Sequence, residues 1–219
     1  MKLIALDTST EACSAALFYN NDMLSRFELA PRRHGELILP MIDSLLAEAQ
    51  LSLTQLDAIA FACGPGAFTG LRIAAGVTQG LAYSSDLPVI PVSTLATLAQ
   101  GSRQKAECIA AAIDARMNEV YFGLYRGNGI VEATGPEIVD RPENIKLQIS
   151  GSCFGVGTGW SVYSTILKET IGPKLSGFDA NQYPAAENAA KIAVSYYIEG
   201  RIITAAEVSP VYLRNRVTG

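Results

Sequence analysis

Histidine is nearly absent from this sequence. His34 stands alone in 219 residues, so neither an HxxH nor an HxxxH pair exists anywhere in the chain. Zinc and iron enzymes need several His, Cys or carboxylate ligands at fixed spacing, and one imidazole does not supply them. A Ser-His-Asp relay is excluded as well, because no GxSxG nucleophile turn is present. His34, with Glu36 two positions on at a helix start, reads as a capping or surface residue. Cysteine offers no alternative: Cys13, Cys63, Cys108 and Cys153 each stand apart, with no CxxC to suggest a metal site or a disulfide framework. Positive charge is scarce too. Seventeen Lys and Arg against twenty-one Asp and Glu leave a net charge of -4, which gives no general attraction to phosphate backbones, and Arg32-Arg33-His34 is too short a cluster to reverse it. Long apolar runs are also missing. The run opening at Met1 is broken by Asp7, leaving neither a signal h-region nor a bilayer span, and a cytoplasmic protein with reduced thiols is expected.

What the chain does have is buryable surface: 49% of its residues are hydrophobic and only 17% charged, so it should fold, and two small lobes fit its length better than one large one. Lys2–Leu6, Cys13–Phe18 and Met23–Leu29 read as an antiparallel meander whose first turn is the hydroxyl-rich Asp7-Thr8-Ser9-Thr10. From Gly35 the period changes, and Leu37, Ile38, Met41, Ile42, Leu45, Leu46 and Ala49 mark one face of a helix. A strand over 57–62, a tight loop from Gly64 to Gly70, a helix over 71–84, a strand over 89–92 and a helix over 93–100 complete a first lobe, residues 1–103. The second, 104–219, opens with a strand from Cys108 that ends in Asp114 and a hairpin partner over 119–125. Strands over 130–133 and 148–150 follow, then a Gly155-Val156-Gly157-Thr158-Gly159 loop and a C-terminal helix over 187–197, free to pack back on the first lobe. Strand, acidic turn and hairpin at 3–18 recur at 108–125, a weak internal duplication.

Three segments could carry chemistry, and each also has a purely structural reading. An Asp and hydroxyls after a strand, as at Asp7, Thr8, Ser9 and Thr10, can hold phosphate or a metal-bound water, but these residues also fill turns for local hydrogen-bonding reasons. The Gly64–Gly70 loop before a helix can aim N–H groups at an anion, yet it lacks the Walker lysine and serves equally as a packing loop. Asp114, Arg116, Asn118 and Glu119 form a polar cluster that is either a second phosphate or metal site or a charged hairpin turn. Gly155, Gly157 and Gly159 miss the GxGxxG dinucleotide pattern, although Trp160 and Tyr163 beside them could face a base.

LIALDTSTEACSAAL, HGELILPMIDSLL, GPGAFTGLRIAAG, DARMNEVY and the terminal SPVYLR together resemble the bacterial TsaB family across almost the whole chain. The resemblance implies an α/β fold of two ribonuclease H-like lobes, as in actin, Hsp70 and sugar kinases. It implies a non-catalytic subunit that activates TsaD in making threonylcarbamoyladenosine at position 37 of tRNAs reading codons that begin with adenine. TsaE would join the assembled pair, tRNA would be met only through the complex, and a homodimer would form when TsaD is absent, with no membrane involved. Position 38, where TsaD carries the second histidine of its metal pair, is Ile38, so no metal and no cofactor are expected in this chain, with a nucleotide only at the partner junction. Helices at 36–50 and 70–84 would form the TsaD interface through Leu37, Ile38, Met41, Ile42, Leu45, Leu71, Ala74, Ala75, Gly76 and Gly80. The competing expectation is a stand-alone ATPase or phosphotransferase of the same fold, with Asp7 and Asp114 around magnesium and Gly155–Gly159 beneath adenine.

Overall fold

Two sheets with the same internal strand order organise the chain. The structure, a computed structural model, describes residues 1–103 and 105–214. The first sheet comprises β1 (Lys2–Asp7), β2 (Ala12–Tyr19), β3 (Asp22–Leu29), β4 (Ala58–Gly64) and β5 (Val89–Ser93) in the order β3-β2-β1-β4-β5. The second comprises β6 (Cys108–Asp114), β7 (Val120–Arg126), β8 (Glu132–Ala133), β9 (Ile138–Asp140), β10 (Cys153–Val156) and β11 (Leu175–Asp179). Its order is β11-β10-β6-β7-β8, with β9 also pairing to β7. With β9 left out of the count and the second sheet read from β8, each half runs 3-2-1-4-5 from its own first strand, so the duplication suspected from the sequence is a duplication of topology.

Strand β1 sits at the centre of its sheet and is buried from Leu3 onward because helices cover both faces. Ile4 and Leu6 point to one side, where α1 (His34–Glu48) and α2 (Phe68–Ser85) bring Ile38, Ile42, Leu45 and Ala74. Leu3 and Ala5 point to the other, as the two-residue strand period requires. There α3 (Thr94–Gln100) and α5 (Ala186–Ile198) contribute Leu95, Leu98, Ala189, Ile192 and Ala193. All seven residues of α3 are buried, because the helix also packs on β6 through the same cluster as Ile109 and Ala111. On the far face of the second sheet, α4 (Gly159–Ile171) brings Trp160, Leu167 and Ile171 onto Ala110, Ala112 and Phe122. No helix of the described residues is long and apolar enough to cross a membrane.

Several expectations need correction. Residues 148–150 form no strand, and the strand that follows is Cys153–Val156, which takes Gly155 out of the supposed glycine loop. The strand expected over 130–133 shrinks to Glu132–Ala133. Helix α2 starts at Phe68 rather than Leu71, so Phe68-Thr69-Gly70 is its first turn. Helix α4 and strand β11 were not anticipated at all. The apolar faces assigned to a partner are largely used within the chain: Ile38, Ile42, Leu45, Leu71 and Ala74 are at most 1% exposed and Ala75 is 8% exposed. All but Leu71, which lines the cleft, pack in one cluster with the first sheet, and a surface already removed from water by that sheet cannot be buried a second time by a partner.

Candidate functional site

The duplication places two turns in equivalent positions, one after β1 and one after β6, on opposite sides of a cleft of about 490 Å³ lined by Ser9, Thr10, Phe68, Asp114, Thr158 and Arg214 among others. The side chains that line it are engaged with one another.

On the first side, Asp7 is buried behind the wall of the cleft. Its Oδ1 accepts from the Ser9 N–H at 2.8 Å and the Ser9 hydroxyl at 2.6 Å, a closed local turn, while Oδ2 has no hydrogen-bond partner. Burial pushes the carboxyl up to about 6, against a smaller lowering by the two Ser9 bonds. The Thr8 hydroxyl donates to the Gly70 carbonyl at 2.7 Å, and Thr10 Oγ1 accepts from the Ala12 N–H at 3.4 Å. The Gly64–Gly70 loop presses onto this turn. The Ala67 N–H, one of those an anion would use, donates to the Ser9 carbonyl at 2.7 Å. A Cβ at Gly66 would strike the Ser9 carbonyl, one at Gly70 the Thr8 carbonyl, and one at Gly64, where φ is +125°, the Val211 carbonyl. Each glycine therefore has a packing reason, and the packing reading of the loop prevails over the anion reading.

On the second side, Asp114 is engaged within its own hairpin. Its Oδ1 accepts from the Arg116 N–H at 2.9 Å, and its Oδ2 lies 3.0 Å from Arg116 Nη1. The hydroxyl of Tyr163, pushed up by burial and then by Asp114, donates to the same carboxylate at 3.4 Å. The glycines at 155, 157 and 159 are all buried. A side chain at Gly155 would enter the Trp160 ring, one at Gly157 would strike the Ala112 carbonyl, and one at Gly159 would sit 2.8 Å from Val120 and 2.9 Å from Ala112. Trp160 is fully buried, its indole N–H donating to the Ala110 carbonyl at 3.0 Å and its ring stacked on Phe178 at 5.3 Å. It is a core residue, and no base can reach it. An arrangement of Asp7 and Asp114 around magnesium with these glycines beneath adenine does not fit the residues present.

Of the residues singled out from sequence, the cleft gathers Ser9, Thr10, Gly66, Leu71, Asp114 and Arg116, with Asp7 and Thr8 behind the first turn. Sequence reasoning missed that the tail reaches this place. Tyr212 and Arg214 line the cleft, and Arg214 binds Glu119 and the Ala115 carbonyl. The signal was present in SPVYLR, but nothing in its spacing pointed to a partner a hundred residues away. His34 was also misread: it is 8% exposed, makes no cap, and its Nε2 is unpartnered. Among the described residues no group of three or more His, Cys, Asp or Glu side chains is placed to hold a metal ion.

Residues 26–211 match the family model described as TsaD: tRNA N6-adenosine threonylcarbamoyltransferase. The whole chain is 44% identical to the tRNA threonylcarbamoyladenosine biosynthesis protein TsaB of Haemophilus influenzae, covering 95% of that protein. Identity is also 44% to the protein of the same name from Escherichia coli K12, over 99% of this chain and 96% of the relative. The solved structure of YeaZ from Pseudomonas aeruginosa superposes with a TM-score of 0.90 at 46% identity, over 97% of this chain and 99% of that one. Fold and cleft define a class of duplicated α/β proteins with a cleft between two equivalent turns. Within that class, the chain belongs to the TsaB family, as its five sequence motifs implied.

Proposed function

We propose that this chain is the accessory, non-catalytic subunit that binds TsaD and activates it for threonylcarbamoyl transfer to adenosine 37 of tRNAs reading ANN codons. The observation that carries the reading is the self-engagement of the cleft: Asp7 is closed onto Ser9, Asp114 is paired with Arg116, and the loop glycines are filled by backbone contacts. Group transfer requires free, preorganised donors at the reacting atoms, and these side chains are turned to one another instead. Chemistry then falls to the partner. In this reading the two sheets are the lobes of an actin-like fold, and the chain works in the cytoplasm. TsaE joins the assembled pair, tRNA is met only through the complex, any nucleotide sits at the TsaD junction, and a homodimer forms when TsaD is absent.

The surface offered to TsaD is the solvent side of α1 and α2 rather than their apolar faces. It includes half-buried Leu37 and Met41, exposed Leu39 at 43% and Tyr83 at 84%, and the exposed glycines Gly76 and Gly80, which have no atom within 4 Å of an added Cβ. Reconstitution of TsaD, TsaE, threonylcarbamoyl-adenylate and tRNA with and without this chain tests the function. Modified tRNA should form only when the chain is present. Full modification in its absence would refute activation, and modification by the chain alone would refute its non-catalytic role.

A further inference from the structure

The segment after α5 has little regular structure, yet it is tied down along its length. Ile203 bridges Val89 at the free edge of β5 through backbone hydrogen bonds of 2.8 and 2.9 Å. Gln79 of α2 donates to the Ala205 carbonyl at 3.0 Å, and the Val211 N–H donates to the Cys63 carbonyl at 2.7 Å. Tyr212 lies on Phe68 with ring centroids 5.6 Å apart, its hydroxyl accepting from Arg72 at 3.3 Å. All of these anchors belong to the first half of the molecule. The next one does not. Arg214 reaches across to the hairpin between β6 and β7, where its Nε donates to Glu119 at 3.0 Å and its Nη2 donates both to Glu119 and to the Ala115 carbonyl, the latter at 3.0 Å.

The receiving hairpin is unusual in its own right. Arg116, Met117 and Asn118 stand in succession at φ 59, 56 and 60°, the left-handed region that side chains with a Cβ occupy at a cost and keep only where their surroundings hold them there. Two of the ties on it come from outside its own sheet. One is Arg214, and the other is Glu11 of the first half, 3.6 Å from Arg116. The side chains of Arg214 and Glu119 are 19% and 32% exposed, so their contact is less screened than an open surface pair. Its fork of donors on a carboxylate and a carbonyl fixes direction as well as distance.

We infer that Val211–Arg214 is a clasp that holds the two halves of the cleft at one angle, with Val211 and Tyr212 as its fixed end and Arg214 as its hook on the 115–119 hairpin. The four residues line the same cleft as the two turns. The clasp acts between parts of this chain alone and does not depend on which protein the chain activates.

Spin labels at Ser44→Cys and Glu169→Cys, exposed helical positions on opposite halves, report the angle as a distance distribution by double electron–electron resonance. The four native cysteines are buried. The clasped protein should give one narrow distribution. Arg214→Ala should broaden and displace it, Glu119→Gln should shift it the same way, and Arg214→Lys, which keeps the charge but loses the fork, should fall between. Hydrogen exchange at the Ala115 and Glu119 amides should rise about tenfold in Arg214→Ala. An unchanged distribution in both Arg214→Ala and Glu119→Gln overturns the clasp. So does faster exchange at the hairpin with no change in distance, since Arg214 would then be only a local staple. If Arg214→Ala fails to fold, Arg214→Lys and Glu119→Gln carry the same comparison.

Discussion

A single carboxyl separates two accounts of the first turn. An aspartate that holds a metal or phosphate must be open to it, whereas Asp7 is buried, with one oxygen closed onto Ser9 and the other unpartnered, and burial pushes its carboxyl up to about 6. Its pKa is above the ordinary 3.8, so the folded state holds the proton more tightly than the unfolded chain. The stability this contributes is complete below about pH 4 and is lost as pH rises through about 6. Asp7→Asn keeps an acceptor for Ser9 and removes the buried charge. The variant should therefore gain on the parent by up to about 3 kcal/mol at pH 8 and by little at pH 4. Urea unfolding at the two pH values checks this, and an equal gap at both would show that Asp7 is not held as a strained acid. The sequence showed an Asp followed by hydroxyls. It did not show whether the turn opens outward or folds onto itself, because that depends on the glycine loop packed against it from sixty residues away.

Glycines distinguish the elements in the same way. Gly70 and Gly76 stand six residues apart in α2, one facing the Thr8 carbonyl and the other facing nothing within 4 Å. Gly70→Ala should cost roughly 2 kcal/mol or more, since backbone must move to admit the methyl, while Gly76→Ala should raise stability by about 1 kcal/mol through helix propensity. Thermal melting of the two variants reads both signs, and a destabilised Gly76→Ala would mean that α2 is covered where it is described as open. The elements legible in the sequence were those with a clean period, β1 to β7, α1 to α3 and α5, whose boundaries held to within about three residues. Helix α4 was hidden because it opens on Gly159 and Trp160 directly after a glycine-spaced strand and is interrupted by non-helical backbone at Tyr163 (φ -118°, ψ 20°). Strand β11, Leu-Ser-Gly-Phe-Asp, carries too little alternation to stand out.

For the whole molecule, the proposed partner surface makes a separable pair of expectations. Gly76→Trp and Tyr83→Ala touch only solvent-facing positions, so their stability should stay within about 0.5 kcal/mol of the parent, apart from the helix-propensity gain at position 76, while co-elution with TsaD is lost. Ile42→Ala opens a hole beneath α1 and should cost about 2–5 kcal/mol, with TsaD retained by whatever remains folded. Size-exclusion chromatography with TsaD, paired with urea unfolding, distinguishes the two. Loss of TsaD by Ile42→Ala at full stability would return the apolar face to the interface. By itself the sequence determined the duplicated α/β pattern, the family, and the lack of any HxxH, HxxxH or CxxC pair, since these follow from residue type, spacing and local period. Only the tertiary structure decided that α1 and α2 turn their apolar faces inward, that the glycines serve packing, and that Arg214 ends on a hairpin in the other half. Each of these depends on contacts between segments far apart in the chain, and no local preference encodes such a contact.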